Sequence, residues 1–115
     1  MTAITDALQT GSTTLDQQFT SLSHPTRRRI LITLAEDNPR DVDEFERSDF
    51  TTEDGELEQF IVTLHHNHLP QLADAGFIDW DRESNTITRG PNFEEIRPLV
   101  TLIANHQEEL PENWP

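Results

Sequence analysis

Leu69-Pro70-Gln71-Leu72-Ala73-Asp74-Ala75-Gly76-Phe77-Ile78-Asp79-Trp80-Asp81 is a stretch in which the hydrophobic period changes. Leading into it, Leu57, Phe60, Ile61, Leu64, His68, Leu69 and Leu72 share one face at helical spacing, which predicts an amphipathic helix over about 56–75. Pro70 interrupts that helix, because proline has no amide proton and crowds the carbonyl four residues back. Gly76 suits the position just past a helix end. Beyond it, Phe77-Ile78-Asp79-Trp80-Asp81 reads as a strand, Arg82-Glu83-Ser84-Asn85 as a turn and Thr86-Ile87-Thr88-Arg89 as the returning strand. A long helix therefore feeds a β-hairpin, which Gly90-Pro91 closes.

Upstream, Leu15, Phe19 and Leu22 mark a helix with Asp16 in its first turn, where the helix dipole favours an anion. Ser23-His24-Pro25-Thr26 ends it, and Pro25 suits the first position of the next helix, over about 25–36. Ile30, Leu31 and Leu34 form its core face, and Asn38-Pro39 terminates it. Asp41 and Glu44 fit a capping box, which predicts a short helix over about 41–47 with Val42 and Phe45 inward. Residues 46–58 are acidic and turn-like. Downstream, Asn92 and Glu95 offer a second capping box. Phe93, Ile96, Leu99, Val100 and Ile103 make an apolar face through about Glu109, with Pro98 obscuring where the helix starts. The expected fold is mainly α with a small β-hairpin wing, in the order α-α-α-α-β-β-α. That is a winged helix-turn-helix domain over 15–109, with a flexible arm at 1–14 and a frayed tail at 110–115.

The chain has 115 residues, enough for one domain and one modest core. Its 22 acidic residues outnumber 8 basic ones, all arginine, and the net charge is -14. Such acidity at 33% hydrophobic residues fits a disordered segment or a folded protein of a very salty cell. The periodic apolar blocks favour the folded reading, in which carboxylates hold water where salt screens charge. There is no cysteine, which excludes disulfides and thiolate chemistry. No apolar run approaches a membrane span, and no signal-peptide pattern opens the chain, so a soluble cytoplasmic protein without membrane partners is expected.

Three segments together resemble ArsR-type winged-helix repressors. Ser23-His24-Pro25-Thr26-Arg27-Arg28-Arg29-Ile30-Leu31 resembles the family's opening motif, with His24 where aspartate is usual. Asp41-Val42-Asp43-Glu44-Phe45 is similar to its second helix. Leu69 to Ile78 is similar to the end of its recognition helix and the entry to its wing. The resemblance covers about residues 19–90, and the form around His66-x-His68-Leu69-Pro70 is similar to small haloarchaeal regulators. Two features depart from the pattern: a longer acidic insertion between Phe45 and Leu69, and Pro70 itself. The resemblance implies a homodimeric repressor of double-stranded DNA with one helix of each subunit in the major groove.

With the apolar face inward, Gln59, Thr63, His66, Asn67 and Gln71 face outward. Gln and Asn can pair bidentately with adenine and Thr can touch a thymine methyl; the alternative is an ordinary solvated helix face. No basic residue lies between Arg47 and Arg82, so phosphate anchoring falls to Arg28, Arg40, Arg82 and Arg89; Arg27 and Arg29 are further candidates, for which local pairing with nearby carboxylates is the alternative. Arg27 is expected to be structural. For Arg82, surface solubility competes with DNA contact. His65 and His68 at i, i+3, and His106 with Glu109, are weak metal candidates; no metal site and no cofactor is expected. No phosphate loop, nucleophile elbow or HExxH motif is present, so no enzyme is expected. Leu15, Phe19, Leu99, Leu102 and Ile103 exceed the needs of a small core and mark a dimer interface, unless they complete the monomer. Two other functions stay open. One is a protein-interaction module of the transcription machinery, docking a basic partner on acidic 41–58. The other is a metal or ligand sensor.

Overall fold

The first described helix, α1 (Leu15–Ser21), starts with a complete capping box. The Thr14 hydroxyl accepts the Gln17 N–H at 3.1 Å, and the Gln17 side chain accepts the Thr14 N–H at 2.7 Å. The structure is a computed structural model and describes residues 13–46 and 54–111, with the side chains of 54–57 left out. Most of the expected arm, Arg47, the centre of the acidic segment, the Leu57 side chain and the end of the tail lie outside the described residues.

Helix α2 (Pro25–Glu36) follows. His24 caps it by accepting the Thr26 N–H on Nδ1 at 3.1 Å. Ile30, Leu31 and Leu34 are fully buried. The helix expected over 41–47 is replaced by a two-residue strand, β1 (Arg40–Asp41), and a 3-10 turn, Val42–Glu46. The reason is competition for the backbone. Arg40 and Asp41 pair with Ile87 and Thr86, and the Val42 N–H donates to the Asn85 carbonyl. Only half of the capping box survives, with the Asp41 N–H donating to the Glu44 carboxylate at 3.3 Å.

The long amphipathic helix forms, but in three registers: α3 (Asp54–Thr63), a π-helical turn (Leu64–His68) and α4 (Leu69–Asp74). Pro70 supplies a cause. It cannot donate to a carbonyl, and its ring would press on the carbonyl of His66 in an α-turn. The wider turn relieves this, and the Leu69 N–H reaches back five residues to the Leu64 carbonyl. The helix ends as Gly76 predicts. Its φ is +80°, the Gly76 N–H donates to Ala73 and the Phe77 N–H to Leu72. A side chain here would also meet Asn92, whose Nδ2 lies 2.5 Å from an ideal Cβ.

Strands β2 (Ile78–Asp81) and β3 (Thr86–Arg89) form the hairpin, with Trp80 opposite Ile87. The sheet has three antiparallel strands in the order β1-β3-β2, rather than the two expected. Helix α5 (Phe93–Asn105) and a 3-10 turn (Gln107–Glu109) complete the described chain. The Asn92–Glu95 capping box does not form. Asn92 instead donates to the Ala75 carbonyl at 3.0 Å, and the Glu95 carboxylate accepts from Thr13. Both side chains thus join separate elements. Pro98 lies inside α5 on its exposed side.

The protein is mainly helical with a small antiparallel sheet. Phe77, Phe93, Ile30, Leu31, Leu34, Leu64, Leu69, Leu72 and Ile87 make one core between helices and sheet. Leu99 and Ile103 pack against it, while Leu15, Phe19 and Leu102 are more than half exposed. Among the described residues, no helix is long and apolar enough to cross a membrane.

Candidate functional site

Gln59, His66 and Asn67 are exposed, and Thr63 and Gln71 are half-buried. The buried residues of the composite helix, Leu64, His68, Leu69 and Leu72, occupy its other side. Two open concavities flank the outward residues. One, of about 530 Å³, lies towards the hairpin and is lined by His65, His66, Pro70, Trp80, Arg82 and Asn85. The second, of about 640 Å³, is lined by His24, Arg27 and Asp74 together with Thr63, His66, Asn67, His68, Pro70 and Gln71.

Arg27 builds the floor of the second concavity. It is buried and donates to the Ser21 carbonyl at 2.9 Å, the Thr20 carbonyl at 3.0 Å and the Ser23 hydroxyl at 2.9 Å. Its Nη1 lies 2.9 Å from His68 Nδ1. A guanidinium only donates, so Nδ1 accepts and His68 is neutral. Burial holds the His68 imidazole down at about 4, and His24 and Arg27 add to the effect. The His24 ring stands 4.2 Å from that of His68 and is lowered by burial, then by Arg27 and Arg28. Arg27 therefore ties the end of α1 and the start of α2 to the π turn.

The hairpin side is assembled differently. Trp80 Nε1 donates to Asn85 Oδ1 at 3.3 Å, and Asn85 Nδ2 donates to Asp43 at 3.0 Å and Glu46 at 3.3 Å. Glu46 also contacts His65 Nε2, whose ring meets Trp80 edge-on at 5.2 Å. The 3-10 turn is thus a bracket between hairpin and helix. Sequence reasoning missed Trp80, Asn85 and Glu46. The available signal was Asn85, a residue type tolerant of the left-handed conformation, which it adopts at φ 54°.

His65 and His68 do not share a face. The π turn separates them, directing one to Glu46 and the other to Arg27. His106 Nδ1 does meet Glu109, at 3.3 Å on the surface. Among the described residues, no three His, Asp or Glu side chains gather as metal ligands would.

The arginines divide. Arg28 donates to the Leu22 carbonyl at 2.7 Å. Arg40 is held between Asp37 and Glu44, and those carboxylates, Glu44 first, raise its pKa. Arg89 turns inward from the hairpin. It donates to the carbonyls of Leu34 and Ala35 at 3.0 and 3.1 Å and caps the end of α2. Of the four arginines expected to anchor phosphate, Arg82 is the one brought beside the composite helix, its guanidinium stacked 4.6 Å above the Trp80 ring.

Charge sets this face apart. Residues 17–35 and 59–73 contain no carboxylate in a chain that has 22. The two stretches meet through His24, Arg27 and His68. Among the residues lining the two concavities, Asp74 is the single acid. Concavities elsewhere carry Asp79 and Asp81, or Asp37, Asp41 and Glu44.

A family model described as a domain of unknown function, DUF7344, matches residues 19–88, more than half of the chain, and the protein belongs to that family. The match spans the composite helix and most of the hairpin. No curated protein and no solved structure matches the chain.

Proposed function

We propose that the protein is a sequence-specific, DNA-binding transcriptional regulator. It is a winged helix-turn-helix homodimer, similar to ArsR-type repressors, working in a high-salt cytoplasm. One observation carries the reading: a protein of net charge -14 has no carboxylate over residues 59–73 of one helix and a single one, Asp74, among the residues lining the hollows beside it. A surface that approaches phosphate must avoid like charge. The composite helix then enters the major groove, with Gln59, Thr63, His66, Asn67 and Gln71 towards the bases. The hairpin acts as the wing, and Arg82 on Trp80 reaches the backbone or minor groove. Arg28, Arg40 and Arg89, engaged with carbonyls and carboxylates, drop behind Arg82 as contacts. Exposed Leu15, Phe19 and Leu102 supply the pairing surface, giving half-sites roughly 10 base pairs, or a multiple of that, apart.

Solution cations screen the acidic remainder, so binding persists in molar potassium chloride, unlike ordinary counterion-release binding. The test replaces His66, Asn67 and Arg82 together by alanine and measures promoter binding at that salt. Loss of the promoter preference supports the assignment. Unchanged binding overturns the contact face. A stoichiometric protein partner captured without DNA dependence would favour the interaction-module reading instead.

A further inference from the structure

An unbroken α-helix advances about 100° per residue, so residues four apart drift about 40° per step around its axis. From Gln59 through Thr63 and Asn67 to Gln71 the drift would reach about 120°, and Gln71 would leave the outer face. The Leu64–His68 turn closes on a five-residue bond and takes in about one extra residue. That sets the phase back by roughly 100° and cancels most of the drift. The inner face reports the same reset. Leu64 and Leu69 are both fully buried, although an unbroken α-helix would place them about 140° apart.

Resting on the DNA-binding reading above, we infer that the π turn straightens Gln59, Thr63, Asn67 and Gln71 into one reading stripe, and that the stripe selects an A·T-rich half-site. The stripe is about 18 Å long, which matches about five base-pair steps. Its amide groups suit the paired donor and acceptor of adenine, and the Thr63 methyl suits that of thymine. Residues 59–73 include no lysine or arginine, the side chains that read guanine with two bonds. His66, one residue before Asn67, falls to the side of the stripe.

The experiment is selection from randomised duplexes with the full chain in molar potassium chloride. An enriched core of four to five A·T-rich pairs is expected. Asn67→Ala and Gln71→Ala, which change outer-face residues, should keep the wild-type melting temperature and each relax preference at its own base pair by about tenfold. A G·C-rich core overturns the inference, as does an A·T preference that survives both substitutions, because a drifting row would leave these two residues out of reach. Failure to enrich any sequence overturns the DNA-binding reading itself, and this inference with it.

Discussion

The two hollows beside the composite helix are held open by different chemistry. On the α2 side, one buried guanidinium makes bonds to two carbonyls, a hydroxyl and a neutral imidazole. On the hairpin side, the links pass through Asn85, Glu46 and His65, which water and salt reach in part. Buried bonds to a charged group are strong and insensitive to salt, whereas exposed pairs are weak and screened. The α2 side is therefore the fixed frame. The hairpin side is the adjustable one, in which Arg82 can move without disturbing the core.

The largest test of this contrast is Arg27→Met. It leaves the Ser21 carbonyl and His68 Nδ1 without the Arg27 donor and removes one of the bonds to the Thr20 carbonyl, which keeps those from Ser23, so a loss of about 3 kcal/mol is expected in denaturant unfolding at molar salt. A loss below about 1 kcal/mol would show that the frame does not depend on Arg27. Acid offers the next test. In the unfolded chain His68 binds its proton near 6.5, but in the fold only near 4. His24 is shifted in the same direction. The unfolded state thus takes up more protons across that window, and stability is lost as pH falls from about 6.5 towards 4. His68→Gln, whose amide oxygen can still accept from Arg27, should flatten the slope in melts taken across this range.

On the hairpin side the effects shrink. Asn85→Ala removes the side-chain bonds to Trp80, Asp43 and Glu46 and places alanine at a positive φ, for about 1–2 kcal/mol. Arg82→Ala should change stability by less than about 0.5 kcal/mol, because its stacked guanidinium is exposed. On the proposed DNA-binding reading, the same substitution should weaken duplex binding several-fold in polarisation titrations. Equal stability losses for Arg27 and Arg82 would erase the distinction between the two sides.

Much of the architecture was legible because its signals were local. The Leu and Ile spacing of α2, the Gly76 stop and the alternation from Ile78 to Arg89 each act within a few residues. What was not legible depended on partners distant in the chain. Asp41 carries a cap signal, yet Thr86 and Asn85 take the backbone at 41–42 into a sheet. Asn92 and Glu95 read as a box, yet their partners are Ala75 and Thr13. Pro70 announced an interruption but not its form; the five-residue spacing of Leu64 and Leu69 was the available clue. The exposure of Gln59, His66 and Asn67 was readable from the apolar face, whereas Thr63 and Gln71 are half-buried. The fates of Arg40 and Arg89 were not readable, because sequence does not say which carbonyl or carboxylate a guanidinium will find.

The most direct test of the account is fluorescence polarisation of the full chain with the duplex upstream of its own coding sequence. A scrambled duplex serves as control, both in molar potassium chloride. The account predicts tight binding to the native duplex and at least tenfold weaker binding to the scramble, by the discrimination a single well-read base pair provides. Equal binding to both, or binding to neither, would contradict it.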